Sequence, residues 1–190
     1  MLTKKSILII SIFSSSLFSS DTIALNMNAD NVEIEGSRDI TGYISSDGTT
    51  HYNLEASYLN NTYHYLFGTG ISVNGEVSQI NGLKFALGAK FIMSDNKQDT
   101  FFAIPLMAKA IYKLPIDDIP TSHVSARFLY APSSLSFSDA ISYSEFRIQA
   151  AVNVIDNVSL FSGYRTIDTE YEDYGKSIDK SMYGGVEMKF

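Results

Sequence analysis

From position 51 onward, apolar and polar side chains alternate with a period of two, in runs broken by Asn, Asp, Gly and Pro. Such alternation marks strands with one apolar face. Residues 51–59 set Tyr52, Leu54, Ala56 and Tyr58 against His51, Asn53, Glu55 and Ser57. Residues 82–93 set Leu83, Phe85, Leu87, Ala89, Phe91 and Met93 against Gly82, Lys84, Gly88 and Lys90. The same reading predicts strands at 63–73, 101–112, 122–132, 143–155, 158–167 and 182–190. The run 158–167 is less clean, because Phe161 and Ile167 share the face of Arg165. Eight strands result, each near the length of a tilted membrane-crossing strand. Asn60-Asn61 and Asp156-Asn157 read as tight hairpins, and 95–99, 131–141 and 168–181 as polar loops. Pro115 and Pro120 end pairing within 113–121.

Ten charged residues fall inside these strands: Glu55, Lys84, Lys90, Lys109, Arg127, Glu145, Arg147, Arg165, Glu187 and Lys189. Every one occupies the less apolar parity of its strand, leaving the other face free of charge. Lipid contact penalises Arg or Lys by about 2–4 kcal/mol at mid-membrane, so a barrel in lipid requires this purity. The prediction is an all-β protein, a closed antiparallel transmembrane β-barrel of eight strands. The ten charged residues are then candidate lumen-lining groups.

Residues 25–50 fit less neatly. Val32, Ile34 and Gly36 alternate with Glu33, Glu35 and Ser37, which suggests a further strand. A ninth strand breaks the even count of bacterial single-chain barrels. The segment is therefore part of a ten-stranded barrel, or a luminal or periplasmic tail. Its charge is −4 (Asp30, Glu33, Glu35, Asp39 and Asp47 against Arg38), whereas the eight strands carry +4. That balance suggests an acidic segment folded against a basic lumen, with a simply solvated tail as the plainer reading.

Composition narrows the class. Hydrophobic residues make up 45% of the chain, aromatics 13% and charged residues only 18%, with no long apolar run. There is no cysteine, which excludes disulfides and thiolate metal sites. A net charge of −7 argues against nucleic acid as a partner. At the N-terminus, Lys4 and Lys5 precede an apolar stretch, 6–18, too short to span a bilayer as a helix. It has secretory-signal length, and Thr22-Ile23-Ala24 offers a small-x-small cleavage site. The predicted organisation is a signal peptide over 1–24, an N-terminal segment over 25–50 and the barrel over 51–190.

Several stretches resemble the YfaZ family. They are Leu129-Tyr130-Ala131-Pro132-Ser133-Ser134-Leu135-Ser136, Tyr143-Ser144-Glu145-Phe146-Arg147-Ile148, Gly163-Tyr164-Arg165 before an acidic run, Leu87-Gly88-Ala89-Lys90, and the terminal Gly185-Val186-Glu187-Met188-Lys189-Phe190. The resemblance is strongest from Leu83 onward. It implies a small barrel in the bacterial outer membrane and carries no mechanism. Val186, Met188 and Phe190 also look like the C-terminal signal read by the barrel assembly machinery.

No catalytic, cofactor or metal site is legible. His51, His64 and His123 lack metal-ligand spacing and read as solvated residues of the lumen mouths. His123 and Ser125 share a face, the arrangement of a barrel lipid-modifying enzyme if Glu145 oriented the histidine. The surrounding sequence does not match such enzymes. The expected function is a non-enzymatic structural or surface-interaction role, the latter through long outer loops such as the acidic, aromatic Glu170, Tyr171, Glu172, Asp173 and Tyr174. A narrow anion-preferring, porin-like channel is the alternative. Expected partners are outer-membrane lipid and lipopolysaccharide around a monomer.

Overall fold

The computed structural model describes residues 21–44, 50–61, 65–95, 100–116, 121–172 and 175–190. These form one antiparallel sheet of twelve segments: β1 (Thr22–Met27), β2 (Asn31–Asp39), β3 (His51–Asn61), β4 (Tyr65–Glu76), β5 (Leu83–Asp95), β6 (Thr100–Ala103), β7 (Leu106–Lys113), β8 (Ser122–Ala131), β9 (Ser136–Ser138), β10 (Ala140–Ile155), β11 (Val158–Tyr171) and β12 (Gly175–Lys189). A single helical turn, α1 (Thr41–Ile44), follows β2. The long strands pair in a continuous circuit, β1–β2–β3–β4–β5–β7–β8–β10–β11–β12, and β12 pairs back to β1, so the sheet closes; β6 and β9 extend it at one end. Closure leaves no free edge. Among the described residues no helix is long and apolar enough to cross a membrane.

The closed circuit has ten strands, not eight. β6 and β7 are one stave, interrupted at Ile104-Pro105, where proline has no N–H to donate. Above the break β6 pairs with β9; below it β7 pairs with β8. The two added strands are β1 and β2, joined by a short turn in which Asn28 Oδ1 accepts from the backbone N–H of Asp30 and Asn31. β1 contains Thr22, Ile23 and Ala24, the residues of the expected cleavage site, which pair with Lys189, Met188 and Glu187.

Two connections also differ. Asn60 and Asn61 lie inside β3, paired with Val32 and Asn31, and are not the hairpin expected there; residues 62–64, His64 among them, lie outside the described residues. Residues 168–181 are mostly strand: β11 and β12 run on well past the apolar positions that defined them. Tyr171, expected in a long outer loop, is instead the last residue of β11 and is buried, edge-on to Phe101. Asp173 and Tyr174 lie outside the described residues. By contrast, Asp156-Asn157 is the two-residue turn its sequence predicts.

Side-chain direction follows parity. Leu25, Ile34, Leu54, Ile71, Phe85, Leu87, Leu106, Phe128, Phe146, Ile148, Leu160 and Met182 all face outward, with Leu87 65% and Leu106 61% exposed. Charged residues on the outward parity sit only near the ends, such as Asp168, Glu170 and Lys180 at one and Arg38 at the other. The inward face holds three layers. At the end remote from the termini, Leu59, Ile92, Phe101, Met107, Leu129, Tyr143, Ile167 and Tyr171 pack into an apolar core. Charged side chains fill the middle. The end bearing the termini is open.

Candidate functional site

The middle layer is built by strands whose inward positions carry a charge where the apolar core stops. Glu33 on β2 is its hub. Arg147 on β10 donates to both its oxygens, Nη1 to Oε2 at 2.6 Å and Nη2 to Oε1 at 2.7 Å. Arg165 on β11 also binds Glu33 Oε2, and Asn26 Nδ2 on β1 donates to it at 2.9 Å. Arg165 Nε donates to Asp179 on β12 at 2.5 Å. Arg147 Nε donates to Glu145 at 2.6 Å, whose other oxygen accepts the Tyr143 hydroxyl at 2.8 Å. Arg127 on β8 joins Glu35 at 2.6 Å to Glu145 at 3.2 Å. To one side, Lys90 approaches Glu55 at 3.6 Å, and Ser72 donates to Glu55 at 2.9 Å.

This set holds four cations, Lys90, Arg127, Arg147 and Arg165, and five carboxylates, Glu33, Glu35, Glu55, Glu145 and Asp179. Planar guanidinium groups suit such two-toothed contacts with carboxylates. Charges removed from water are tolerated only when paired this closely. Gly163 leaves the room for one packing contact: a Cβ there meets the Tyr183 ring at 2.8 Å, and that ring lies 5.2 Å beneath the Arg165 guanidinium.

All ten strand charges singled out in the sequence take inward parity. Lys90, Arg127, Glu145, Arg147 and Arg165 are buried in the ionic layer, and Glu55 flanks it. Lys84, Lys109, Glu187 and Lys189 line a cavity of about 480 Å³ between that layer and the open end. Glu33 and Glu35 reach the same interior from β2, as members of the wall. Two participants escaped the sequence reading, Asn26 and Asp179. Asn26 sits beside the expected cleavage site. Asp179 sits beside a β-bulge, where Ile178 is an extra residue and both side chains turn inward. Asp179 keeps the inward parity of Ser181 and Tyr183; it escaped because the polar run 168–181 reads as a loop and not as part of the strand.

The His123–Ser125 arrangement does not assemble. Both residues line the open cavity. Glu145 cannot orient the histidine: β10 pairs Ala151 with His123 and Leu129 with Glu145, six residues apart along the strand, roughly 20 Å. His51 is an exposed mouth residue, 3.4 Å from Asp39. At the C-terminus, Val186, Met188 and Phe190 keep the outward parity, and Phe190 N donates to Asp21 O at 2.9 Å.

Closure by ten antiparallel strands, an apolar outer face and an ion-paired interior define a small β-barrel of the filled kind. The family model described as YfaZ precursor matches residues 10–190, and the chain belongs to the YfaZ family. A search of curated proteins finds no match.

Proposed function

We propose that this chain is a small outer-membrane β-barrel protein with a non-enzymatic role, held in lipid as a closed and filled barrel. The observation that carries this reading is the outer wall, which exposes large apolar side chains on every long strand and keeps ionised groups inside. A water-soluble protein rarely exposes so extensive an apolar surface. On β5 the band runs from Leu83 to Met93, about 25 Å tall for a strand tilted by roughly 40°. Tyr58 and Tyr130 toward one end, and Tyr52 and Tyr112 toward the other, stand where aromatic girdles meet the interfaces. The word precursor in the family description accords with an export signal ahead of the barrel.

In this reading both termini and the open cavity face the periplasm, the apolar core faces outward, and lipopolysaccharide surrounds the outer half. The barrel assembly machinery inserts the chain through its C-terminal strand. Glu145 lies too far along the barrel from His123 to orient it, so the arrangement that would favour a lipid-modifying reaction is not formed by these residues.

The test is the gel mobility of membrane-extracted protein before and after boiling. A closed barrel in detergent migrates as a compact species until boiled. Identical mobility, together with recovery in the soluble periplasmic fraction, would replace the membrane reading with a secreted one.

A further inference from the structure

The cavity at the open end is not part of the ionic layer's pairing. Six cationic side chains and two carboxylates line it. Arg127 and Arg147 are held by Glu33, Glu35 and Glu145 at its floor, and Lys84 pairs with Glu76 at the rim at 2.9 Å. Lys109, Lys113 and Lys189 remain, and among the described residues none has a carboxylate within 4.0 Å. They face a single lining carboxylate with no such partner, Glu187. Arg127 itself lines the floor of the cavity, so its guanidinium adds to the positive field of the lysines there.

We propose that this cavity is a binding site for a small organic anion carrying two or more carboxylate or phosphate groups. The volume suits a small molecule, which typically occupies a few hundred Å³. Its walls are low-dielectric barrel strands, which focus the field of the lysines into the space between them. Asn53, Ser125 and Gln149 supply uncharged polar groups, while Ile111 and Phe161 supply apolar surface for a carbon skeleton. A lipid headgroup offers the same anionic chemistry. The cavity sits among the inward-facing positions of the strands and ends against the ionic layer, so a soluble anion arriving from the terminal end is the occupant assigned. The site is a pocket and not a conduit.

The full-length exported protein, purified in an uncharged detergent, is titrated calorimetrically with citrate, with inorganic phosphate and with glycerol as the uncharged control. Saturable citrate binding is expected, weakening as salt rises. Replacing Lys109, Lys113 and Lys189 together by Gln should weaken it at least tenfold, about 1.4 kcal/mol. Heat-modifiable mobility checks that the variant is folded. Absence of saturable citrate binding by the unmodified protein up to about 10 mM would overturn the proposal whatever the variant does. So would equal binding by a folded triple variant. A parallel titration in nanodiscs separates the sources. Citrate binding that persists with phosphatidylglycerol present supports the soluble-anion site, and lipid association without any citrate binding assigns the lysines to headgroups and overturns it. Either result leaves the barrel reading to its own gel test.

Discussion

Glu33 is 1% exposed and accepts from Arg147, Arg165 and Asn26, so its carboxylate holds four strands at one height in the barrel. Glu33→Gln keeps the volume and removes the charge. One amide oxygen remains to serve donors that previously had two anionic oxygens, and the new NH₂ points donors at donors. Breaking a buried pair this way costs about 3–5 kcal/mol, because the abandoned guanidinium groups stay buried. A large drop in the urea midpoint of the folded barrel is expected, read by loss of heat-modifiable mobility. Glu76→Gln is the matched control. Its carboxylate and the Lys84 it binds are both solvent-exposed, so the midpoint should stay where it is. Equal midpoints for the two variants would mean that the interior charges are not acting as paired, desolvated groups.

Strand by strand, the legibility of the fold follows how much of each element lies inside the apolar band. β5, β7, β8 and β10 alternate along most of their length and were placed closely. β11 and β12 continue beyond the band, where the outward residues are Asp168, Glu170 and Lys180, and hydropathy no longer distinguishes strand from loop. β2 carried its own signal in Glu33 and Glu35, and the opposite charges of the two regions anticipated where those side chains point. β1 was hidden for a different reason. Its Thr-Ile-Ala is both a good strand start and a good leader-peptidase site, and local sequence cannot choose between them. Pairing can. Cleavage after Ala24 would delete three residues that pair with β12, along with Asp21, whose carbonyl accepts from Phe190. The exported protein should therefore begin at or before Asp21. Intact mass and N-terminal sequencing of outer-membrane material decide this, and a mature chain starting at Leu25 would mean that β1 is shorter in the working barrel.

For the molecule as a whole, inside and outside make opposite demands on the same residue type. In the proposed membrane barrel, Phe91→Lys or Leu106→Lys, in the middle of the apolar band, would meet lipid and should cost about 2–4 kcal/mol, seen as poorer folding into vesicles. Lys90, one position away, is tolerated because it faces Glu55.

The same partition bears on permeation. Ten strands enclose more room than eight, which by itself favours a channel. The room is used: Phe101, Leu129, Tyr143 and Ile167, all with no measurable exposure, close the end remote from the termini. Beneath them the guanidinium groups are tied to carboxylates on facing strands, so an ion entering from the open end meets first a bound counter-charge and then a packed apolar layer. Both must rearrange for a path to form. Planar bilayers containing the purified protein should therefore show no unitary conductance steps at moderate voltage, although the open cavity still concentrates anions at its mouth. Reproducible steps, lost when Arg147 and Arg165 are each replaced by Gln, would establish that the ionic layer opens and that the apolar end is a gate in place of a seal.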